Sequence, residues 1–328
     1  MYRVSGKKIL VTGGAGFIGS NLVDKLLSLG AFVRVLDNFS TGKRENLVSA
    51  AENRNFELLE GDIRDRAACD RAVQGMDVVL HQAALGSVPR SIKDPATTIG
   101  VNVFGFTNIL HSAVENGVKR FVFASSSSVY GDEKSLPKVE EKTGTALSPY
   151  AISKQSNETI ALNFAAIYGI EVIGLRYFNV FGPRQDPAGA YAAVIPKFIA
   201  SLLGYRSPVI NGDGTYSRDF TYVDNAVQAN ILAAAADKEA CSKMYNVACG
   251  SELDLNGLFN ILKNTLGSED AAISGIAPVY GEKRAGDIPH SLADISRAEK
   301  YLGYQVLVPV AEGLAKTCAW YASGKERA

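Results

Sequence analysis

The sequence predicts an α/β fold, a doubly wound parallel sheet followed by a smaller C-terminal domain. Three observations predict it. Apolar strand-like runs alternate with helix-like segments from residue 1 to about 180, and a glycine-rich turn directly follows the first run. The rhythm then breaks at Gly182-Pro183-Arg184-Gln185-Asp186-Pro187, and a less regular region begins.

Taken in order, Lys7-Lys8-Ile9-Leu10-Val11 reads as a buried strand running into Thr12-Gly13-Gly14-Ala15-Gly16-Phe17-Ile18-Gly19. Ile18 to Leu29 then carries the apolar period of a helix. The glycines have separate reasons. Gly13 allows a tight turn off the strand, Gly16 lets backbone approach a pyrophosphate at the helix N-terminus, and Gly19 lets helix and strand pack closely. A second strand, Phe32 to Leu36, ends in Asp37, with Asn38 next. An acid there accepts hydrogen bonds from an adenosine ribose and repels a 2′-phosphate, so NAD is the expected cofactor rather than NADP. Glycines in a surface turn are the plainer alternative. The succession of strand, glycines, helix, strand and acid is the context a Rossmann dinucleotide site requires.

Further along, Arg120-Phe121-Val122-Phe123-Ala124 reads as a buried strand delivering Ser125-Ser126-Ser127-Ser128 at its C-terminal end, where open α/β sheets place ligands. Taken alone, such serines are a polar loop. Tyr150-Ala151-Ile152-Ser153-Lys154 opens a helix predicted to reach Tyr168, which sets Tyr150 and Lys154 one turn apart on one face. A mid-helix Tyr and Lys are usually a packing residue and a solvated one. Beside a strand end carrying serines they make a general base instead, because a neighbouring ammonium, together with the positive nicotinamide ring of the expected NAD, draws a phenol's pKa down. The segment Phe220 to Ala248 returns to helix and strand. The expected division is therefore 1–180 with about 220–250 for the dinucleotide, and about 181–219 with 251–328 for a substrate.

Composition narrows the class. The chain has 328 residues, ample for two domains, and Lys+Arg (34) balance Asp+Glu (34), with no basic run to suit a nucleic acid. Cys69, Cys241, Cys249 and Cys318 form no C-x-x-C pair and only His81, His111 and His290 are present, which argues against a metal site or a disulfide framework. The apolar stretch Ile9 to Val11 is broken by glycines, so neither a signal peptide nor a membrane span is expected, and the cytoplasm is the expected location.

With these motifs in place the chain resembles the extended short-chain dehydrogenase/reductase family, and within it the UDP-hexose 4-epimerases, most of all the subgroup acting on UDP-N-acetylglucosamine. The resemblance runs over nearly the whole chain: TGGAGFIG, Asp37, Gly61-Asp62-Ile63-Arg64, Gln82-Ala83-Ala84, SSSSVYG, YAISK, Arg176 to Arg184, Gly212-Asp213-Gly214 through Arg218-Asp219-Phe220, Arg284-Ala285-Gly286-Asp287, and Ala293-Asp294-Ile295 through Leu302-Gly303-Tyr304. Gln82 stands where many members have His, and Val129 where some have Thr.

The resemblance implies roles. Ser126, Tyr150 and Lys154 would be catalytic. Gly13, Gly16, Phe17, Ile18, Gly19, Asp37, Asn38, Asp62, Ile63, Gln82, Asn102, Tyr150, Lys154 and Tyr177 would hold or support NAD, with Asp62 and Ile63 at the adenine. For the UDP-sugar it implies Gly86, Ser87, Ser126, Ser127, Asn179, Gln185, Ala193, Val194, Asn211, Arg218, Arg284, Asp287 and Ser291. Arginine suits a diphosphate because its planar fork meets phosphate oxygens in pairs. No metal is implied. Helices over roughly Thr98 to Asn116 and Tyr150 to Tyr168 would build a four-helix bundle between two subunits, making a homodimer.

The implied reaction is removal of the sugar 4-hydroxyl proton by Tyr150 with hydride transfer from C4, giving a 4-keto sugar that turns its other face before reduction. Related 4,6-dehydratases carry Asp-Glu directly after the catalytic Ser or Thr and related decarboxylases carry Glu; Ser127-Ser128 here offer no acid or base near neutral pH. Ser291 occupies a gatekeeper position where members restricted to plain sugars have Tyr, so space for a 2-acetamido group is expected. UDP-glucose/galactose or UDP-hexuronate epimerisation, a dehydrogenase that releases its cofactor, and a non-catalytic NAD-binding regulator are the alternatives.

Overall fold

The computed structural model describes residues 4–187, 192–282 and 288–324. Its centre is a seven-stranded parallel sheet. β1 (Lys8–Thr12), β2 (Phe32–Asp37), β3 (Phe56–Glu60), β4 (Val78–His81), β5 (Arg120–Ser126) and β6 (Glu171–Tyr177) are joined by Lys243–Val247 at the far edge. The order is Lys243–Val247, β6, β5, β4, β1, β2, β3. Winding therefore reverses between β1 and β4, which opens a crevice beyond their C-terminal ends.

Both faces of the sheet are buried, as the unbroken apolar runs require. Side chains alternate across it. Val11, Val33, Val35, Leu80, Val122 and Leu175 enter one core, while Leu10, Val79, Phe121, Phe123 and Val172 enter the other. Phe121 is fully buried, so truncation to Ala would cost about 3–5 kcal/mol.

The first helix, Phe17–Ser28, lies one residue from its predicted bounds at each end. The long helix Pro149–Tyr168 starts on a Ser148 side chain that accepts the Ala151 N–H, has Pro at its first position, and stops at Gly169 with φ of 72°. The segment predicted as one helix over Thr98 to Asn116 is instead Pro95–Ile99, a wider π-type stretch Gly100–Gly105, and Phe106–Glu115. Within the widened stretch Asn102 is buried and grips the Leu85 backbone at both ends, accepting its N–H at 2.8 Å and donating to its carbonyl at 3.2 Å. A Cβ on Gly105 would sit 2.6 Å from Ile63, which shows how closely this stretch packs.

Beyond Tyr177 the chain builds small sheets. Val180–Phe181 pairs with Thr221–Tyr222, Ser217–Arg218 lies between Leu253–Asp254 and His290–Ser291, and Val209–Asn211 pairs with Val279–Gly281. Helix Val223–Ala235 then returns to pack on the first helix and the main sheet, ahead of Lys243–Val247. Among the described residues no helix is long and apolar enough to cross a membrane.

Candidate active site

The glycine turn is built as its sequence requires. Gly13 has φ of 69°, and a Cβ there would meet the Ala83 backbone at 2.7 Å; one on Gly19 would strike the Gly13 carbonyl oxygen at 2.1 Å. The first helix opens at Gly16 with no side-chain cap and no acid in its first turn, so its leading N–H groups are left to an anion. The Asp37 carboxylate accepts the N–H groups of Ala15 and Phe39, both at 2.8 Å, tying the turn to β2. Each oxygen keeps a second lone pair for a ribose.

From this turn a cavity of about 530 Å³ runs across the C-terminal ends of the strands. Gly13, Gly16, Phe17, Ile18, Gly19, Asp37, Asn38, Asp62, Ile63, Gln82, Tyr150, Lys154 and Tyr177 all line it. Asn102 does not line it; it acts from behind through Leu85, which does. Asn102 also donates to Ser153 Oγ at 3.1 Å, and Ser153 Oγ donates to the Tyr150 carbonyl at 2.7 Å, so the 84–87 loop and the Tyr150 helix are bound together. Asp62 accepts from Asn38 and Arg64; the Arg64 hydrogen bond, ahead of other causes, holds its pKa down to about 2. Ser40, Thr41 and Gly42 also line the cavity. Their only sequence signal is a small polar turn directly after the strand-end acid.

At the opposite end Ser126, Tyr150 and Lys154 come together. Ser126, whose Oγ accepts the Ser128 N–H at 3.2 Å, lines the cavity with Tyr150, and Lys154 Nζ lies 5.8 Å from the Tyr150 ring centroid. The Lys154 ammonium donates to the Ala124 carbonyl at 2.8 Å. The share expected of Lys154 in lowering the Tyr150 pKa is corrected here. Burial raises the Tyr150 pKa, the Ser126 hydrogen bond opposes it, and no lowering by Lys154 enters. Lys154 itself is buried and drops to about 8, with Glu158 pulling it back up. Burial disfavours both charged forms.

Glu158, one turn beyond Lys154, is a site residue that sequence reasoning missed. It accepts from Ser125 Oγ at 2.5 Å and from Arg176 Nε and Nη2 at 2.9 and 2.8 Å. The pair is buried and fixes the end of β5, next to Ser126, against the helix that carries Tyr150 and Lys154.

Gly86, Ser87, Ser126, Ser127, Asn179 and Gln185 line the first cavity beside Tyr150. Asn179 and Gln185 also line a second cavity of about 590 Å³, with Ala193, Val194, Asn211 and Arg218. Gln185 Oε1 is buried without a hydrogen-bond partner where the two cavities meet. Ser291 borders neither cavity; it lies half-buried on the strand paired with Ser217–Arg218, opposite Arg218. Arg284 and Asp287 lie outside the described residues. Lys197 and Arg206 line the second cavity without having been singled out in the sequence. Asp219 was quoted only as part of a motif. It is fully buried, accepts the N–H groups of Cys249 (2.9 Å), Gly250 (3.0 Å) and Ala293 (3.3 Å), and burial pushes its pKa up to about 6. Its own N–H donates to the Ser291 carbonyl at 2.7 Å, so one residue ties together the strands bearing Arg218 and Ser291.

A family model described as "NAD dependent epimerase/dehydratase family" matches residues 9–248. The chain belongs to that family. A solved structure titled UDP-N-acetylglucosamine 4-epimerase from Methanobrevibacter ruminantium M1, in complex with UDP-N-acetylmuramic acid, is 40% identical with a TM-score of 0.91, over 98% of this chain and 99% of that one. UDP-glucose 4-epimerase of Mycolicibacterium smegmatis is 36% identical over 96% of this chain and 98% of its own. dTDP-glucose 4,6-dehydratase of Streptomyces griseus is 34% identical over 95% and 93%. NAD, the family's cofactor, fits the uncapped helix, the Gly13 and Gly19 approaches and the strand-end Asp37.

Proposed function

We propose that this family member is a UDP-sugar 4-epimerase that interconverts UDP-GlcNAc and UDP-GalNAc. One observation carries the reading. Ser126 and Tyr150 line the first cavity, which shares Asn179, Val180 and Gln185 with the second, and Ser127 and Ser128, rather than carboxylic acids, follow Ser126. Elimination or decarboxylation would call for an acid or base beside them. Epimerisation calls only for a proton and a hydride moved at C4.

In this reading Tyr150 takes the 4-hydroxyl proton and returns it, while Ser126 holds that oxygen by a hydrogen bond. Bound NAD supplies the hydride acceptor and donor. Lys154 anchors the cofactor ribose, and Asp37 and the glycine turn hold the adenosine and diphosphate. Arg218, Asn179 and Asn211, with Arg284 and Asp287, hold UDP. A Cβ on Gly86 would meet nothing within 4 Å, so the sugar has room to turn. Gln185 Oε1 offers an acceptor suited to an acetamido N–H. The division of labour follows 1–180 with about 220–250 for NAD, and the remainder for UDP-sugar. A second copy of the chain would cover Phe104, Ile152 and Ile167, exposed by 57%, 49% and 63% on the helical faces expected to form a four-helix bundle.

The test is incubation of the purified enzyme with each UDP-sugar, without added nucleotide, and separation of the products. Conversion of UDP-GlcNAc to UDP-GalNAc is expected, with no net rise in absorbance near 340 nm. Ser291→Tyr should remove that conversion while sparing UDP-galactose. Accumulating NADH would replace the reading with a dehydrogenase, and an unchanged Ser291→Tyr profile would remove the gatekeeper assignment.

A further inference from the structure

Three side chains from separate elements close a ring of hydrogen bonds at the inner wall of the first cavity. Tyr177 Oη, at the end of β6, donates to Gln82 Oε1 at 3.0 Å; Gln82 Nε2, just past β4, donates to Asn230 Oδ1 at 2.9 Å; Asn230 Nδ2 donates to Tyr177 Oη at 2.7 Å. Asn230 sits midway along the returning helix Val223–Ala235 and is fully buried, whereas Gln82 and Tyr177 line the cavity with Tyr150 and Lys154.

The direction of this ring is fixed from one end. The second N–H of Asn230 donates to the Ala226 carbonyl at 2.8 Å, so a flipped amide would set oxygen against oxygen. With Asn230 held, its Oδ1 demands a donor, which turns the Gln82 amide nitrogen towards it. Gln82 Oε1 then demands a donor in turn and receives the Tyr177 hydroxyl. Burial pushes the Tyr177 phenol up to about 12, so it keeps its proton throughout the working range. Counting donors, Asn230 and Tyr177 have spent every hydrogen. One N–H remains in the ring, the second on Gln82 Nε2.

We propose that Asn230 is a positioning residue for the cofactor: it orients Gln82 so that the ring presents an amide N–H, and not a carbonyl, to NAD beside Tyr150 and Lys154. The inference rests on NAD occupying this cavity and not on which sugar is turned over. The residue reaches no cofactor itself. It is supplied by the helix that returns after the second region, so that region helps to set the polarity of a site formed by the first.

The test uses the holoenzyme as purified, measuring NAD carried per protomer and the rate at which it exchanges with isotopically labelled NAD, with UDP affinity read by calorimetry. Asn230→Ala should speed exchange about tenfold, the scale of one lost hydrogen bond. Asn230→Leu should match it. Close in volume, it holds the fold if the Ala variant does not, yet it offers no acceptor to Gln82 and no donor to Tyr177 or Ala226. UDP affinity should stay within about twofold, which general unfolding would not allow. Gln82→Leu should equal Asn230→Ala, and the double variant should exchange no faster than Gln82→Leu alone, as expected when one residue acts only through the other. Exchange within about twofold of wild type in both Asn230 variants, multiplying effects in the double variant, or a parallel loss of UDP affinity would each overturn the proposal. Wild-type protein that neither carries nor binds NAD would instead remove the cofactor reading itself.

Discussion

The two sides of Tyr150 are built differently. On the cofactor side polar groups hold one another: Asp37 holds two backbone N–H groups, Gln82, Tyr177 and Asn230 close a ring, and Glu158 bonds both Ser125 and Arg176. On the sugar side the wall is Gly86, Ser87 and Ser127, with open space off Gly86 and an unpartnered Gln185 oxygen. Rigidity on one side fixes where a hydride lands. Slack on the other would let a keto sugar present either face, the asymmetry that the proposed epimerisation needs.

Breaking the rigid side should have the largest effect. Glu158→Ala leaves the buried Arg176 guanidinium without its carboxylate, for an expected loss of about 3–5 kcal/mol read as a fall in denaturation midpoint. Glu158→Gln, which keeps the size and one acceptor, should recover part of it. A loss below about 1 kcal/mol would show the wall to be less constrained than its hydrogen bonds indicate.

Chemistry comes next. Tyr150→Phe should lower turnover at least about a hundredfold, the usual scale for lost acid-base catalysis, while UDP binding stays near normal. Turnover near wild type would take the proton-transfer role away from Tyr150.

The third effect is on pH. His81 is buried under Phe106 and Phe121, takes Thr12 Oγ1 at 2.8 Å, and has its pKa lowered to about 3 by burial first and by Lys154 second. Unfolded, the imidazole binds a proton near pH 6.5, so the unfolded state is favoured as pH falls from there towards 3. Between pH 7 and 5 this single group should cost about 2 kcal/mol of stability, and His81→Asn should flatten that slope in denaturant titrations. An equal slope in both proteins would assign the acid sensitivity elsewhere.

The smallest effect sharpens the slack side. Wild-type kcat/KM should favour UDP-GlcNAc over UDP-glucose by about 1–3 kcal/mol, the worth of one acetamido contact. A preference for UDP-galactose would mean that the open space serves motion only.

Local pattern made part of this molecule legible. Strands β1, β2 and β5, the glycine turn, Asp37 and the Tyr150/Lys154 spacing each depend on neighbours in sequence, and the structure gathers them at one crevice. Asn230 and Glu158 read as ordinary helix residues, because the partners that give them meaning lie across the sheet. The π-type stretch at Gly100–Gly105 was equally hidden: its apolar pattern suits a regular helix, and the grip of Asn102 on Leu85 appears only in three dimensions. Ser291 illustrates the reverse. Its motif placed it at the sugar, whereas the structure sets it opposite Arg218 and bordering neither cavity.

The seventh strand, Lys243–Val247, pairs with β6 after an excursion through the whole intervening region. A ribosome emitting this chain therefore releases the glycine turn, the serines, Tyr150 and Lys154 well before the sheet can close. Until residue 247 emerges, β6 is an open edge whose Val172, Ile173 and Leu175 are destined for complete burial, and the helix bearing Asn230 has yet to dock. Fragments stopping near residue 180 should thus be sticky rather than half-active. The nascent enzyme depends on its own late segments, or on a chaperone, to protect a sheet whose chemistry is already written.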